Sequence, residues 1–149
     1  MEKRCNAIVG SVKTVQISII TSEKRYPDCD IQVIQKNKNP SCLKPSLTFN
    51  SNKIFIVVPS CVSTPSKQFE CWNSLVNCYV LAIKKTVESK KNSILFPELG
   101  KNLLWQDHLI VKAARVALEK CSAICPDDFT VVFKVSKEAY EQWDKVMRF

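Results

Sequence analysis

The sequence predicts one three-layer α/β/α domain over residues 1–149, with a mixed, mainly parallel central sheet. Three observations predict it. Strand-like and helix-like segments alternate through the second half, the order that builds parallel crossovers. Ile54-Phe55-Ile56-Val57-Val58 and Ile94-Leu95-Phe96 are continuous apolar runs, as strands covered on both faces require. The stretch from Ser93 to Trp105 passes from a strand, through Pro97 and Gly100, to a helix starting near Asp107. That layout brings backbone N–H groups and a helix N-terminus to the mouth of an α/β sheet.

The elements follow in order. Ala7-Ile8-Val9-Gly10 reads as an edge strand. Residues 16–21, rich in β-branched side chains, form a second strand. Residues 22–27 are polar and stop at Pro27. Residues 31–34 alternate weakly and fit either a strand or one helical turn. Lysines, asparagines and two prolines make 36–45 a loop. Residues 46–49 and 53–59 form a hairpin around Asn50-Ser51-Asn52. Ser63-Thr64-Pro65 then supplies an N-cap and a proline for the first turn of a helix over 66–90. Phe69, Trp72, Val76, Tyr79, Ile83 and Val87 lie three or four apart along that helix and mark one apolar face. A second amphipathic helix runs over 107–121, a strand over 129–135, and a last helix is capped by Ser136, with Tyr140, Trp143 and Met147 as its stripe. The strands at 17–21, 54–58, 93–96 and 129–135 are expected inside the sheet.

Composition narrows the classes. No apolar stretch is long enough to cross a membrane, and the early apolar run is broken by Lys13 and Gln16, so no membrane role is expected and the expected location is intracellular, cytoplasm or nucleus. The eight cysteines are expected as free, mostly buried thiols, since the chain is too large and apolar to need a disulfide scaffold. No metal site and no cofactor are expected: Cys121 and Cys125 have no second close pair, and His108 is the sole histidine. The net charge of +8 favours phosphate-rich or acidic partners, against the plainer reading of a solvated lysine surface. The chain holds two glycines, Gly10 and Gly100, where average usage would give roughly ten, so each is expected to answer a backbone need.

On these residues the chain resembles a macro domain, the ADP-ribose-binding α/β module. Ile8-Val9-Gly10-Ser11-Val12-Lys13 is similar to the family's opening pattern, apolar-x-Gly-Asp-Ile-Thr. Residues 17–21 are similar to the strand that normally ends in Asn-Ala-Ala-Asn. Phe96-Pro97 with the following glycine-bearing loop resembles the family's second phosphate loop. The departures are as informative. Ser11 stands where the family has the aspartate that recognises the adenine amino group. Thr21-Ser22-Glu23-Lys24 stands where it has Asn-Ala-Ala-Asn, so Lys24 takes the place of the catalytic-type asparagine. The first glycine-rich loop is missing, and the second reads Gly100-Lys101-Asn102-Leu103-Leu104-Trp105.

The resemblance therefore implies a binding module without ADP-ribosyl hydrolase activity, since that chemistry needs a positioned water and a firmly held ribose. Cys61 has no histidine near it in sequence to activate its thiol. Expected ligands are ADP-ribose, poly(ADP-ribose) or another nucleotide, held weakly. The candidate ligand-binding residues are Gly10, Ser11, Thr21, Gly100, Lys101, Asn102, Trp105 and Phe133. Gly100, Lys101 and Asn102 would take a phosphate, Ser11 and Phe133 the base end. Trp105 is either an aromatic wall or a core residue. Two alternatives remain: RNA or DNA bound through the lysines at 36, 38, 44, 84, 85, 90 and 91, or a protein-interaction pseudo-domain.

Overall fold

The computed structural model describes residues 8–12, 15–21, 29–36, 46–62 and 64–148. Among these residues seven strands form one sheet: β1 (Ile8–Val12), β2 (Val15–Thr21), β3 (Ile31–Lys36), β4 (Ser46–Asn50), β5 (Lys53–Val57), β6 (Ser93–Phe96) and β7 (Thr130–Val135). Their order across the sheet is β1-β2-β7-β6-β3-β5-β4. The edge strands β1 and β4 run antiparallel to β2 and β5, and the five inner strands are mutually parallel. The four strands expected inside the sheet are there, as β2, β5, β6 and β7. The ambiguous segment at 31–34 is a fifth inner strand, β3, hydrogen-bonded to β5 on one side and β6 on the other. The polar segment at 22–27, Lys24 within it, and the loop residues beyond Lys36, Lys38 and Lys44 included, lie outside the described residues.

The described residues also form three helices: α1 (Pro65–Glu88), α2 (Asp107–Cys121) and α3 (Tyr140–Met147). Pro65 opens α1, where a missing N–H does no harm, and the Thr64 side chain makes no cap bond. Helix α1 packs over β4, β5 and β6, α3 over β1 and β2, and α2 fills the space between α1 and α3. Odd-numbered residues of β2 and β7, among them Ile17, Ile19, Val131 and Phe133, point into this helical side. The opposite face is also buried, around Ile20, Leu95 and Val132, with Cys29 packed on them. The result is an α/β sandwich on a mixed, mainly parallel sheet.

An aromatic ladder crosses the helical side. Tyr79 of α1 meets Phe96 of β6 at 5.0 Å, Phe96 stacks on Phe133 of β7 at 5.6 Å, and Phe133 meets Trp143 of α3 at 5.0 Å. All four rings are buried. Ser136 caps a turn rather than a helix, its hydroxyl accepting from Ala139 N–H at 3.2 Å, and α3 starts only at Tyr140. Among the described residues, no helix is long and apolar enough to cross a membrane. Cys29, Cys61, Cys78, Cys121 and Cys125 are not in disulfides, whereas Cys71 is disulfide-bonded. Free thiols throughout were expected; cysteine spacing carries no information on pairing, so Cys71 could not be singled out.

Candidate functional site

Inner strands that all run one way deliver their carboxyl ends to one edge of the sheet, and crevices form there. Here an open cleft of about 290 Å³ lies beyond the ends of β3, β6 and β7. Gln35 enters it from β3, Pro97, Glu98, Lys101 and Asn102 from the β6–α2 loop, and Lys134 and Ser136 from the end of β7.

The loop carries unusual backbone geometry. Gly100 has φ +98°, Asn102 +68° and Leu104 +70°. The glycine is required twice over: by its positive φ, and by crowding, since a Cβ would sit 3.1 Å from Trp105 Cδ1 and 3.3 Å from Leu75 Cδ1. Such a loop could present a row of N–H groups to an anion. Here four of them are already committed. Leu99 N–H donates to the Tyr79 hydroxyl at 3.1 Å, and Gly100 N–H to Gln35 Oε1 at 2.7 Å. Lys101 N–H donates to the Glu98 carbonyl and Leu103 N–H to the Gly100 carbonyl, both at 3.1 Å. Gln35 completes a two-point clamp by donating from Nε2 to the Lys101 carbonyl at 3.2 Å.

The charges of Glu98 and Lys101 are matched with each other as well. The Glu98 side chain is only 8% exposed. Its Oε2 accepts from Ser136 N–H at 3.0 Å and lies 3.5 Å from Lys101 Nζ. Lys101 Nζ also donates to Ser136 Oγ at 3.3 Å. Beneath the loop, burial pushes the Tyr79 phenol well above its usual range, so the hydroxyl stays neutral.

The candidate residues divide. Gly100, Lys101 and Asn102 meet at the cleft, Asn102 exposed to solvent. Thr21 pairs with Val135, so it ends β2 at the same edge with β7 between it and the loop. Gly10 and Ser11 do not belong here. They pair with Ile17 and Gln16, near the start of β2. Five residues of strand, roughly 16 Å, separate that level from Thr21. Because β1 runs antiparallel to β2, Gly10 and Ser11 lie toward the end of the sheet away from the cleft, which the motif likeness could not reveal. Phe133 is also corrected: it is 1% exposed and held between Phe96 and Trp143, so it offers no wall to a base. Trp105 takes the core alternative, 7% exposed with Nε1–H donating to the Pro59 carbonyl at 2.8 Å. What little of it is open faces a separate apolar groove beside Phe69 and Trp72.

Gln35, Glu98, Lys134 and Ser136 were missed. Glu98 carried a signal, as a carboxylate beside Pro97 in the loop itself. Gln35 carried none, because its partner lies 65 positions away. Of the other chemical candidates, His108 is exposed in the first turn of α2, and the Cys61 thiol donates to the Val62 carbonyl at 3.6 Å.

No family profile matches the sequence and no curated protein matches it. Solved structures do match in shape. An Oceanobacillus iheyensis macrodomain mutant superposes with a TM-score of 0.69 at 14% identity, over 96% of this chain and 96% of that one. Another mutant of that macrodomain, with ADPR, gives 0.64 at 15% identity over 91% and 94%. The macro domain of ganglioside induced differentiation associated protein 2 gives 0.61 at 16% identity over 87% and 81%. The fold of this chain is the macrodomain fold.

Proposed function

We propose that this chain is a non-catalytic macro-type binding module whose cleft recognises ADP-ribose or a related nucleotide or phosphate ligand only weakly. The fold supports the class of module: among chains that share it, one is described with ADPR and another with ADP. The observation that carries the word weakly is the committed loop. The N–H groups of Leu99, Gly100, Lys101 and Leu103 all donate within the protein, so a phosphate entering the cleft must displace an internal bond to use any of these four. Each charge-assisted bond forgone costs about 1.5–3 kcal/mol, roughly ten- to a hundred-fold in affinity. Absence of hydrolysis has similar support. Glu98, the carboxylate that lines the cleft, is tied through its Oε2 to Ser136 N–H and to Lys101, which holds that oxygen away from the role of general base.

One observation favours a second reading, nucleic-acid binding. Lys84, Lys90 and Lys91 are exposed where α1 ends and β6 begins, at the sheet edge opposite the cleft. Calorimetry against ADP-ribose, poly(ADP-ribose) and a short RNA, each at two salt concentrations, separates the readings. The module predicts weak heats from ADP-ribose and none from RNA. RNA affinity that falls steeply with salt, beside silent ADP-ribose, would transfer the function to the lysine edge. Release of ADP-ribose from a modified protein would contradict the non-catalytic assignment.

A further inference from the structure

We infer that the Glu98 carboxylate is a built-in occupant of the anion seat, and that this one side chain keeps the cleft from accepting pyrophosphate. The inference rests on the reading of the cleft as a ligand site and says what limits that site. A phosphate oxygen in a protein is ordinarily held by a backbone N–H, a hydroxyl and an ammonium drawn together. That set is assembled here from Ser136 N–H, Ser136 Oγ and Lys101 Nζ. A single atom, Glu98 Oε2, stands where the ligand oxygen would: 3.0 Å from Ser136 N and 3.5 Å from Lys101 Nζ.

Three features make this more than a surface ion pair. Glu98 is nearly buried while Lys101 is 39% exposed, so the carboxylate lies beneath the lysine, on the protein side of it. The bond to Ser136 spans 38 positions and ties the β6–α2 loop to the end of β7 across the cleft. Gln35 Oε1 does the same for Gly100 N–H, so a second internal acceptor occupies the neighbouring donor. An incoming pyrophosphate would meet a like charge at contact distance and a lysine already neutralised.

The test is titration of inorganic pyrophosphate and of ADP-ribose into wild type and Glu98→Gln, followed by backbone amide NMR. The carboxamide can still accept from Ser136 N–H through its carbonyl oxygen, but it lacks the charge and frees Lys101. Pyrophosphate affinity is expected to rise at least tenfold in E98Q, with the largest shifts at Lys101 and Ser136. Unchanged affinity in a folded E98Q would overturn the inference. Glu98→Ala is a second arm that does not depend on E98Q folding. It too removes the carboxylate from beside Ser136 N–H and Lys101, so pyrophosphate affinity is expected to rise at least tenfold. Unchanged affinity in a folded E98A would also overturn the inference. Gain of pyrophosphate binding in E98Q with no ADP-ribose binding by either form would uphold the inference while removing the nucleotide reading.

Discussion

Gly100 and Tyr79 hold the β6–α2 loop from above and below, and each can be tested by one substitution. Gly100→Ala places a Cβ against Trp105 and Leu75 at a φ of +98°, which an L side chain rarely adopts. The strain should cost about 1–3 kcal/mol, read as a lower urea midpoint with unchanged slope. Tyr79→Phe removes the acceptor of Leu99 N–H in a buried site. Leaving that donor unpaired should cost about 1–3 kcal/mol, with faster hydrogen exchange at Leu99 than elsewhere in the loop. The need for Gly100 was legible in the sequence because glycine is scarce there and this one follows Phe96-Pro97. The filling of the loop's donors was not. It depends on Tyr79 and Gln35, which lie 20 and 65 positions from their partners. Nothing in local spacing encodes such contacts.

Among the elements, the ladder from Tyr79 through Phe96 and Phe133 to Trp143 joins α1, β6, β7 and α3 into one core. Phe133→Ala should cost about 3–5 kcal/mol, since the rings on either side belong to different elements and cannot close the gap together. Thermal denaturation followed by circular dichroism checks this, and a loss under 1 kcal/mol would mean that Phe133 is less enclosed than described. The amphipathic helices and apolar strands were legible because their periods differ, 3.6 against 2. Strand β3 was ambiguous for a physical reason: Ile31 and Val33 alternate over too few residues to separate a strand from a helical turn. Only pairing with β5 and β6 decides it. Phe133 misled and Trp105 stayed open for the same reason: an aromatic side chain serves a core and a ligand wall equally well, and sequence does not say which side it faces.

At the scale of the molecule, buried thiols set a pH limit. Burial pushes Cys78 up to about 12 and Cys121 and Cys125 up to about 11, from an ordinary value of 9.0. Above pH 9 the unfolded chain releases these protons while the folded chain keeps them, so the unfolded state binds fewer protons and stability falls as pH rises. The loss should begin near pH 9 and continue until the folded thiols themselves titrate. Urea midpoints at about pH 8 and about pH 10.5 check it. A midpoint that rises over this interval would contradict the burial of these thiols.

The same scale sets the cleft and the exposed lysines at opposite edges of the sheet, so a ligand at one edge need not disturb the other. The cleft satisfies the N–H groups of Leu99, Gly100, Lys101, Leu103 and Ser136 from within, and backbone amide NMR during an ADP-ribose titration is the sharpest check on what that costs a ligand. The prediction is shifts confined to Gly100, Lys101, Asn102 and Ser136 that do not saturate below roughly 1 mM ligand. Saturation of those same amides at micromolar ADP-ribose would contradict it, because binding of that strength needs the donors that Gln35 and Glu98 now hold.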